Sequence, residues 1–395
     1  MKYTSTRAQA EPVDFNGALI AGLAPDGGLY VPVEYPRLPA GWEDWSYTQA
    51  VSSVLGMFGA EDVEELVVDS ASRFKHPDIA PIVEVGDRRL LELFWGPTLA
   101  FKDHALQVLA RLLDREVSDG LILGATSGDT GAAAIAACSG RTNLSVVILF
   151  PEGRVSDFQR RQMTTVGGNT RAVAVRGTFD DCQRLVKDAF SRHPDLLAIN
   201  SINWARVAVQ AGFHVHAAAR MGGSYDLVIP TGNFGHVLAV WVAKKMGAPI
   251  ETITIANNAN HMVSDLVNTG QRPLAAVVPT LAPAMDIQVP SNLERFTGDL
   301  SSEFKARWSN DEQIRSTIDS VWELHGYRMD PHTATAWRAA DETRSERPQL
   351  VAATAHPAKF DDAIAPPDWF PSLDGLEETF ATIDPSISEL EQMIR

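Results

Sequence analysis

Short apolar segments alternate with segments of helical spacing along most of this chain. Apolar residues recur at helical spacing from Asp103 to Val117, and an unbroken apolar run follows at residues 121–125. The alternation continues with predicted strands at 144–150, 170–175, 227–230 and 253–256, and with predicted helices at 131–139, 156–166, 179–192 and 237–246. Such alternation is typical of βαβ units, in which helices cover both faces of a parallel sheet. The pattern therefore predicts an α/β fold.

The first ninety residues and the region after residue 265 depart from this alternation. Spacing and turn residues predict mixed structure in the first ninety residues: a strand at 29–33, helices at 47–58 and 62–74, and a hairpin around Gly86 and Asp87. Residues 265–310 are richer in Pro, Ser and Asn, so we expect connections there rather than a separate domain. A last helix is predicted at 387–394.

Composition excludes several classes of partner. The chain has 395 residues, 45% of them hydrophobic, which suffices for a sizeable core and suggests two or three domains. Its 34 Lys and Arg against 50 Asp and Glu give a net charge of −16, which argues against nucleic acid or a membrane surface as partner. Without a secretory signal or an apolar run of membrane-spanning length, we expect a cytoplasmic protein. Cys138 and Cys182 are the only cysteines, and we expect both to be buried and reduced.

One lysine, Lys102, lies in an apolar segment bounded by turn residues, at 91–103. Burial disfavours the charged form of a lysine, so its amine becomes easier to deprotonate and more nucleophilic. Neutral lysine amines form Schiff bases with aldehydes, of which pyridoxal phosphate is the commonest in enzymes. Considered alone, Lys102 is more consistent with an ordinary lysine whose ammonium group stays in water than with a reactive amine. The remaining motifs reverse that preference.

Two glycine-containing turns each follow a predicted strand and precede a predicted helix. Residues 125–132 offer hydroxyl and backbone N–H groups that can bind carboxylates or phosphates, although the polar side chains can equally be helix caps. Residues 230–235 let the backbone approach an anion at a helix N-terminus, or form a plain turn. Neither turn carries the Walker or the dinucleotide pattern.

Three further segments hold candidates for anion and cofactor contacts. Arg154 and Arg206 can bind a second anion bidentately, or be ordinary surface arginines. Thr354 lies at the end of a predicted strand, where its hydroxyl can contact a cofactor ring or form a hydrogen bond with the backbone. His356 is consistent with a histidine whose ring nitrogens form hydrogen bonds within the protein.

Together these segments resemble the threonine synthase family, which consists of pyridoxal-phosphate enzymes of fold type II, the tryptophan-synthase-β type. The similarity runs in order through nearly the whole chain, at residues 26–32, 96–103, 127–131, 200–203, 232–235, 285–287 and 354–360. The Gly-Pro-Thr-Leu-Ala-Phe-Lys-Asp run at 96–103 is highly specific. The resemblance implies two parallel-sheet α/β domains with the cofactor in the cleft, plus a small N-terminal α+β region.

The same resemblance implies where these parts begin and end. Residues 1–92 form the N-terminal region. Residues 93–220 form the first α/β domain, which includes the cofactor lysine and the smaller, mobile domain. Residues 221–395 form the second α/β domain, with the phosphate loop and the C-terminal tail.

Roles for individual residues also follow from the resemblance. Lys102 is the catalytic residue and carries pyridoxal phosphate as a Schiff base. The other cofactor contacts are Gly232, Asn233, Phe234 and Gly235 at the phosphate, Thr354 at the pyridine nitrogen and Asp129 near the ring hydroxyl. The substrate contacts are Thr126, Ser127, Gly128, Asp129 and Thr130 around the carboxylate, and Arg154, Ser156, Asn200, Ser201, Asn203 and Arg206 around a substrate phosphate. No metal is implied.

The family reaction converts O-phosphohomoserine and water to threonine and phosphate by β,γ-elimination and replacement. The resemblance therefore implies a carbon–oxygen lyase of amino-acid biosynthesis, whose partner is a small and phosphorylated amino acid. A homo-oligomer remains open.

Four positions depart from the family pattern, namely Trp95, His104, Glu152 and His236, where the family usually has His, an apolar residue, a basic residue, and Asp or Asn. Glu152 puts a negative charge near the expected phosphate site, where like charge costs affinity. These changes keep open a specialised-metabolism paralogue that performs a β- or γ-replacement or elimination on another amino acid, as cysteate synthase does. A non-catalytic binding protein is the third interpretation, and intact Lys102 argues against it.

Overall fold

Two sheets of mainly parallel strands carry the fold in the computed structural model, which describes residues 1–394. The strands are β1 (Tyr3–Ser5), β2 (Tyr30–Pro32), β3 (Ile82–Val85), β4 (Arg88–Glu92), β5 (Gly120–Ala125), β6 (Leu144–Pro151), β7 (Thr170–Val175), β8 (Tyr225–Pro230), β9 (Ile250–Asn257), β10 (Phe304–Trp308), β11 (Gln349–Ala353) and β12 (Phe380–Ile383). One sheet has the order β10-β9-β8-β11-β4-β3 and is parallel except for the β3–β4 pair. The other has the order β12-β7-β6-β5 and is parallel throughout. The α/β class with parallel sheets is thereby confirmed.

Helices cover these sheets. They are α1 (Phe15–Ala21), α2 (Tyr47–Met57), α3 (Glu64–Ala71), α4 (Lys102–Glu116), α5 (Asp129–Cys138), α6 (Asp157–Thr164), α7 (Phe179–Arg192), α8 (Trp204–Met221), α9 (Gly235–Met246), α10 (Met262–Thr269), α11 (Leu300–Glu303), α12 (Asp311–His325), α13 (Pro331–Glu342) and α14 (Ile387–Met393). Among the residues described, no helix combines the length and the apolar character that crossing a membrane requires. Cys138 and Cys182 are buried free thiols, as predicted.

Most predicted elements are confirmed to within a few residues, but helices α1, α8 and α12 were not predicted, and residues 265–310 differ from the prediction. The 18-residue helix α8 was not predicted, and nearly all of its residues are buried, including the polar Arg206, Gln210 and His214, which recur at a spacing of four. Residues 265–310, predicted as connections, contain most of α10, the short helix α11 and the strand β10. Strand β10 pairs with β9 at the edge of the larger sheet, and its Lys305 and Trp308 side chains are exposed. Its short alternating pattern has no apolar run that would mark it in the sequence.

The strands are not shared between the sheets as the predicted domain boundaries imply. Strands β3 and β4, from the predicted N-terminal region, belong to the larger sheet, where β4 pairs with β11. Strand β12, from the predicted second domain, returns to the smaller sheet and pairs with β7. Local sequence pattern contains no sign of such pairings, because the partner strands lie far apart in the chain.

Helix α8 packs against α2, α4 and α9 in the middle of the molecule. Its Gly212 faces the backbone of α2, and a Cβ atom placed there would lie 2.8 Å from Cα of Val51. A backbone atom cannot move away as a flexible side-chain end can. The absence of a side chain at Gly212 therefore sets how closely α2 and α8 approach.

Gly212→Ala should destabilise the protein by about 1–3 kcal/mol, because the added methyl group forces α2 and α8 apart. The matched control is Gly56→Ala on α2, where a Cβ atom meets nothing within 4 Å. That change should leave the stability unaltered or raise it by up to about 1 kcal/mol, since alanine is the better helix former. Urea unfolding measures both, and equal stabilities for the two variants would contradict the packing argument.

Three buried histidines lie where α4, α8 and α9 meet. Nε2 of His214 and Nε2 of His236 are 2.8 Å apart, and Nδ1 of His104 is 2.6 Å from the hydroxyl of Tyr47. The ring of Phe101 stacks on His236 with centroids 4.8 Å apart. Burial lowers the pKa of His104 and of His236 to about 3, so both rings are neutral at pH 7.

His104→Leu should reduce the loss of stability at acid pH. Below about pH 6.5 the unfolded chain binds a proton on this histidine, which the folded protein does not bind until the pH falls to about 3. The free energy of unfolding therefore decreases through that window, and His104 accounts for about 2 kcal/mol of the decrease between pH 7 and pH 5. Urea unfolding of the variant at these two pH values should show a correspondingly smaller decrease.

The matched control is His325→Leu, whose side chain is already exposed in the folded protein. It should keep the pH dependence of the wild type. A decrease in stability of the same size in His104→Leu and in the wild type would contradict the assignment of a buried neutral ring.

Candidate active site

The three strands β4, β11 and β8 are neighbours in the larger sheet and run parallel, so their carboxyl ends meet at one edge. The segment that leads to Lys102 follows β4, Thr354 follows β11, and the loop at 231–234 follows β8. Ligands of open α/β sheets bind outside the carboxyl ends of the strands. The topology therefore brings three separate sequence motifs to one place.

Lys102 is the first residue of α4, and a tight loop positions it. The backbone N–H of Leu99 donates to the carbonyl of Gly96 at 3.1 Å, and Leu99 has a φ of 61°. The buried carboxylate of Asp103 accepts from the backbone N–H of Thr98 at 2.8 Å and from its hydroxyl at 2.7 Å. Lys102 itself is only 9% exposed. The loop thus presents a lysine that solvent barely reaches.

The segment after β11 lies beside this loop. The backbone N–H of Phe101 donates to the carbonyl of Thr354 at 2.8 Å, and that of His356 donates to the carbonyl of Leu99 at 3.0 Å. A β-bridge joins Ala100 to Ala355 between them. Thr354 is therefore held next to the residue that precedes Lys102, and it is buried.

A buried carboxylate, Asp129, lies between two lysines. Its Oδ2 accepts from Nζ of Lys102 at 3.0 Å, and its Oδ1 lies 3.2 Å from Nζ of Lys359. Oδ1 also accepts from the amide of Gln159 at 2.8 Å. Burial by itself raises the pKa of Asp129, but the two ammonium groups outweigh it and hold the pKa well below its usual range. Asp129 is therefore a carboxylate at neutral pH.

Lys359 is the residue that the sequence analysis missed. It is 1% exposed, and its Nζ donates to the carbonyl of Thr98 at 2.6 Å and to Oε1 of Gln162 at 2.8 Å. A lysine in the segment Ala-His-Pro-Ala-Lys-Phe, at 355–360, shows the same signal that marked Lys102, namely a cation among apolar and turn residues.

The turn before α5 has a different internal organisation from the one predicted. The hydroxyl oxygen of Thr126 accepts from the backbone N–H of Gly128 at 2.9 Å and of Gly131 at 2.8 Å. Thr126, predicted to contact substrate, is thus buried and shapes the turn. Ser127 and Thr130 are only partly buried, so their side chains remain available.

The loop between β8 and α9 fits a phosphate group. A Cβ atom at Gly232 would lie 2.6 Å from the carbonyl oxygen of Ala284, so only glycine fits there. Phe234 adopts a left-handed conformation, with φ 62°, and α9 begins at the next residue. Within residues 1–394, no side chain caps this helix N-terminus. Its first backbone N–H groups therefore point toward an anion site with the positive end of the helix dipole.

Ser201, predicted to contact the substrate phosphate, lies beside this loop, whereas Asn200 is exposed and caps its own turn. The amide of Asn233 donates to the hydroxyl of Ser201, and the amide of Asn292 donates to the carbonyls of Ser201 and Asn233, both at 3.1 Å. The side chain of Asn200 accepts from the backbone N–H of Ile202 at 3.1 Å.

Two predicted phosphate ligands are directed into the protein instead. Asn203 is 0% exposed, caps α8 through Ala205, and donates to the carbonyl of Leu19 at 2.8 Å. Arg206 is buried and donates to the carbonyl of Ile199 at 3.1 Å. The sequence suggested anion binding for both because polar residues at a helix start look alike whether they face a ligand or a neighbouring element.

The remaining candidates lie on the strand-to-helix turn after β6. Ser156 caps α6 and donates to the carbonyl of Lys359 at 3.1 Å, which brings it to the site. Arg154 and Glu152 are both exposed.

Trp95 adjoins the loop that carries Lys102. Its indole N–H donates to Oε2 of the buried Glu92 at 2.9 Å, and its ring stacks on Trp369 with centroids 6.0 Å apart. Trp369 belongs to the C-terminal segment that crosses toward the smaller sheet. Trp95 is therefore fixed between parts of the chain that are distant in sequence.

The arrangement can hold a phosphorylated aldehyde. The uncapped N-terminus of α9 offers N–H groups to the phosphate, and Lys102 offers a buried amine to the aldehyde. His236, the second residue of α9, stacks on Phe101, which directly precedes Lys102, so the two ends of the site adjoin. The residues present therefore fit pyridoxal phosphate.

Comparisons with known proteins agree with this geometry. Family profiles match the chain at residues 91–354 (pyridoxal-phosphate dependent enzyme), 2–70 (threonine synthase N terminus) and 333–394 (threonine synthase, C-terminal). Threonine synthase of Pseudomonas aeruginosa is 39% identical over 92% of this chain and 90% of its own length. The Schizosaccharomyces pombe threonine synthase is 36% identical over 92% of this chain and 88% of its own length. The crystal structure of PLP-bound threonine synthase from Brucella melitensis has a TM-score of 0.94 and 38% identity, and the match covers 100% of this chain and 98% of that one.

These similarities extend over the whole chain rather than over one motif. They confirm the expected fold type II, the expected cofactor pyridoxal phosphate and the expected lyase chemistry. The chain belongs to the threonine synthase family of pyridoxal-phosphate-dependent lyases.

Proposed function

We propose that this enzyme converts O-phosphohomoserine and water to threonine and phosphate. The observation that carries the proposal is the buried Lys102, whose Nζ lies 3.0 Å from Asp129. Lys102 shares one edge of the larger sheet with Thr354 and with the uncapped start of α9. The family relationship supplies the reaction, and the geometry supplies residues suited to it.

Residues of three segments are proposed to hold the cofactor. Lys102 attaches it covalently, and the backbone of 232–235 binds its phosphate. The hydroxyl of Thr354 pairs with the ring nitrogen, and Asp129 lies near the ring hydroxyl. A neutral hydroxyl partner leaves the ring nitrogen less protonated than a carboxylate would. When bound, the cofactor supplies an electron sink that stabilises carbanions of the amino-acid substrate.

Protons are moved by Lys102 in this proposal. Once its amine is free, it would take the proton from Cα of the substrate and pass it to the cofactor, then take a second proton from Cβ, and return protons to Cγ and to Cα as water adds at Cβ. Phosphate leaves from Cγ. Asp129 accepts a hydrogen bond from the same Nζ, so it orients the amine between these transfers.

The substrate is proposed to be held at both of its charged ends. The turn at 127–130 binds its carboxylate through hydroxyl and backbone N–H groups. Arg154, Ser156, Asn200 and Ser201 bind its phosphate, and the buried Asn203 and Arg206 are left out of this set. We further propose that the part of the chain built on the smaller sheet closes over bound substrate and keeps water from the early steps.

A second candidate reaction rests on Trp95 and Glu152. Trp95 is fixed next to the Lys102 loop by Glu92 and Trp369, and Glu152 puts an exposed negative charge two residues before Arg154. Both features alter the surroundings of the proposed phosphate site. They favour a β- or γ-replacement or elimination on another amino acid, phosphorylated or not.

Incubation of the cofactor-loaded enzyme with O-phosphohomoserine separates these reactions. We expect threonine and inorganic phosphate in equal amounts, and neither product from Lys102→Ala. A bound, lysine-linked cofactor without turnover would contradict the proposed substrate and favour the second candidate.

Glu152→Lys should raise kcat/KM for O-phosphohomoserine several-fold, because it replaces repulsion of the phosphate by attraction at an exposed position. The gain should shrink as salt is added, since exposed charges are screened. Steady-state kinetics at low and at high ionic strength measure both effects. An unchanged or lower kcat/KM at low salt would overturn the repulsion argument.

A further inference from the structure

Asp129 has two lysine partners, and their surroundings differ. Within residues 1–394, the only hydrogen bond that Nζ of Lys102 makes is to Asp129, and its side chain is 11% exposed. The side chain of Lys359 is 0% exposed, and its Nζ faces Thr98, Gln162 and Asp129 at 2.6, 2.8 and 3.2 Å.

These contacts determine what each lysine can do. Lys359 donates two hydrogen bonds, to Thr98 and Gln162, and forms an ion pair with Asp129 at 3.2 Å. These three contacts hold its ammonium group in place. Lys102 can leave its single hydrogen-bond acceptor without breaking another hydrogen bond, and beyond it its Nζ has a cation–π contact with the ring of Phe101, 5.0 Å away. The pair is therefore asymmetric, with one fixed cation and one releasable cation on the same carboxylate.

Release of Lys102 would leave Asp129 buried without that partner. A buried carboxylate that loses its only cation costs several kcal/mol and tends to take up a proton instead. Lys359 remains on Oδ1 when Lys102 leaves Oδ2, so the negative charge stays compensated. The amide of Gln159 holds the same Oδ1 at 2.8 Å and keeps the carboxylate in place.

We propose that Lys359 is a positioning residue for this active site, the permanent counter-cation that keeps Asp129 ionised and in place whenever Lys102 is attached to the cofactor. This inference rests on the proposed function, in which Lys102 gives up its ammonium contact in every cycle. Lys359 does not touch the reacting atoms, and it acts through Asp129.

A purely structural role must be separated from this one, because Lys359 also joins three segments. Its contacts tie the loop of Thr98 and the helix of Gln162 to the turn that carries Asp129. Loss of packing weakens the site whatever the charge of residue 129. Loss of a counter-cation matters only while residue 129 is a carboxylate.

The test is a double-mutant cycle on cofactor affinity, with Lys359→Met and Asp129→Asn. The dissociation constant of pyridoxal phosphate from the full-length protein is read from the absorption of the lysine-linked cofactor. Lys359→Met should weaken binding at least tenfold in the wild-type background and less than twofold in the Asp129→Asn background. The control Lys305→Met removes an exposed cation from strand β10 and should change the affinity in neither background.

Equal affinity in Lys359→Met and the wild type would overturn the inference, and so would an equal loss in both backgrounds.

Unfolding in urea without cofactor is an independent second test. The unfolding equilibrium constant should rise at least tenfold more on Lys359→Met when Asp129 is present than when it is Asn. Equal rises would overturn the pairing even if Lys359→Met proved too unstable to load. A wild-type protein that forms no lysine-linked cofactor would contradict the proposed function, and the unfolding measurement would still test whether Lys359 and Asp129 are paired.

Discussion

A buried carboxylate held between two lysines is the interaction on which the site depends. Asp129 begins the helix after a strand of the smaller sheet, and Lys102 begins the helix after a strand of the larger one, so their contact joins the two halves of the site. A charge in this position is tolerated only when it is paired on every side that water would otherwise occupy. Lys359 completes that pairing from the C-terminal segment.

The fold makes this contact available by bringing distant segments together at strand ends. Strands β8, β11 and β4 adjoin in the larger sheet although they lie more than one hundred residues apart in the chain. The chain then crosses back, and strand β12 closes the smaller sheet. The C-terminal segment between β11 and β12 therefore lies between the two sheets, and it contributes Thr354 and Lys359. The buried His236 stacks on Phe101 of the loop that leads to Lys102, and His104 lies in the first turn of the helix that Lys102 begins.

Much of this could be predicted from the sequence, and the limits have physical causes. Apolar runs and glycine turns identified the parallel sheets, and the segments around Lys102 and Gly232 identified the family. Helix α8 was missed although Arg206, Gln210 and His214 recur at helical spacing, and the structure buries these polar residues instead of exposing them to solvent. Asn203 and Arg206 were predicted as phosphate ligands but are buried against backbone carbonyls, because a polar side chain at a helix start gives the same pattern whether it meets ligand or protein. The role proposed for Lys359 needed the distances, since the sequence does not show that it shares a carboxylate with Lys102.

The central claim is that the two lysines on Asp129 differ in function, with Lys102 reactive and Lys359 fixed. The most direct measurement is borohydride reduction of the cofactor-loaded enzyme, followed by proteolysis and mass spectrometry of the modified peptide. The account predicts that the reduced cofactor is found on Lys102 alone. Cofactor on Lys359, or shared between the two lysines, would contradict it.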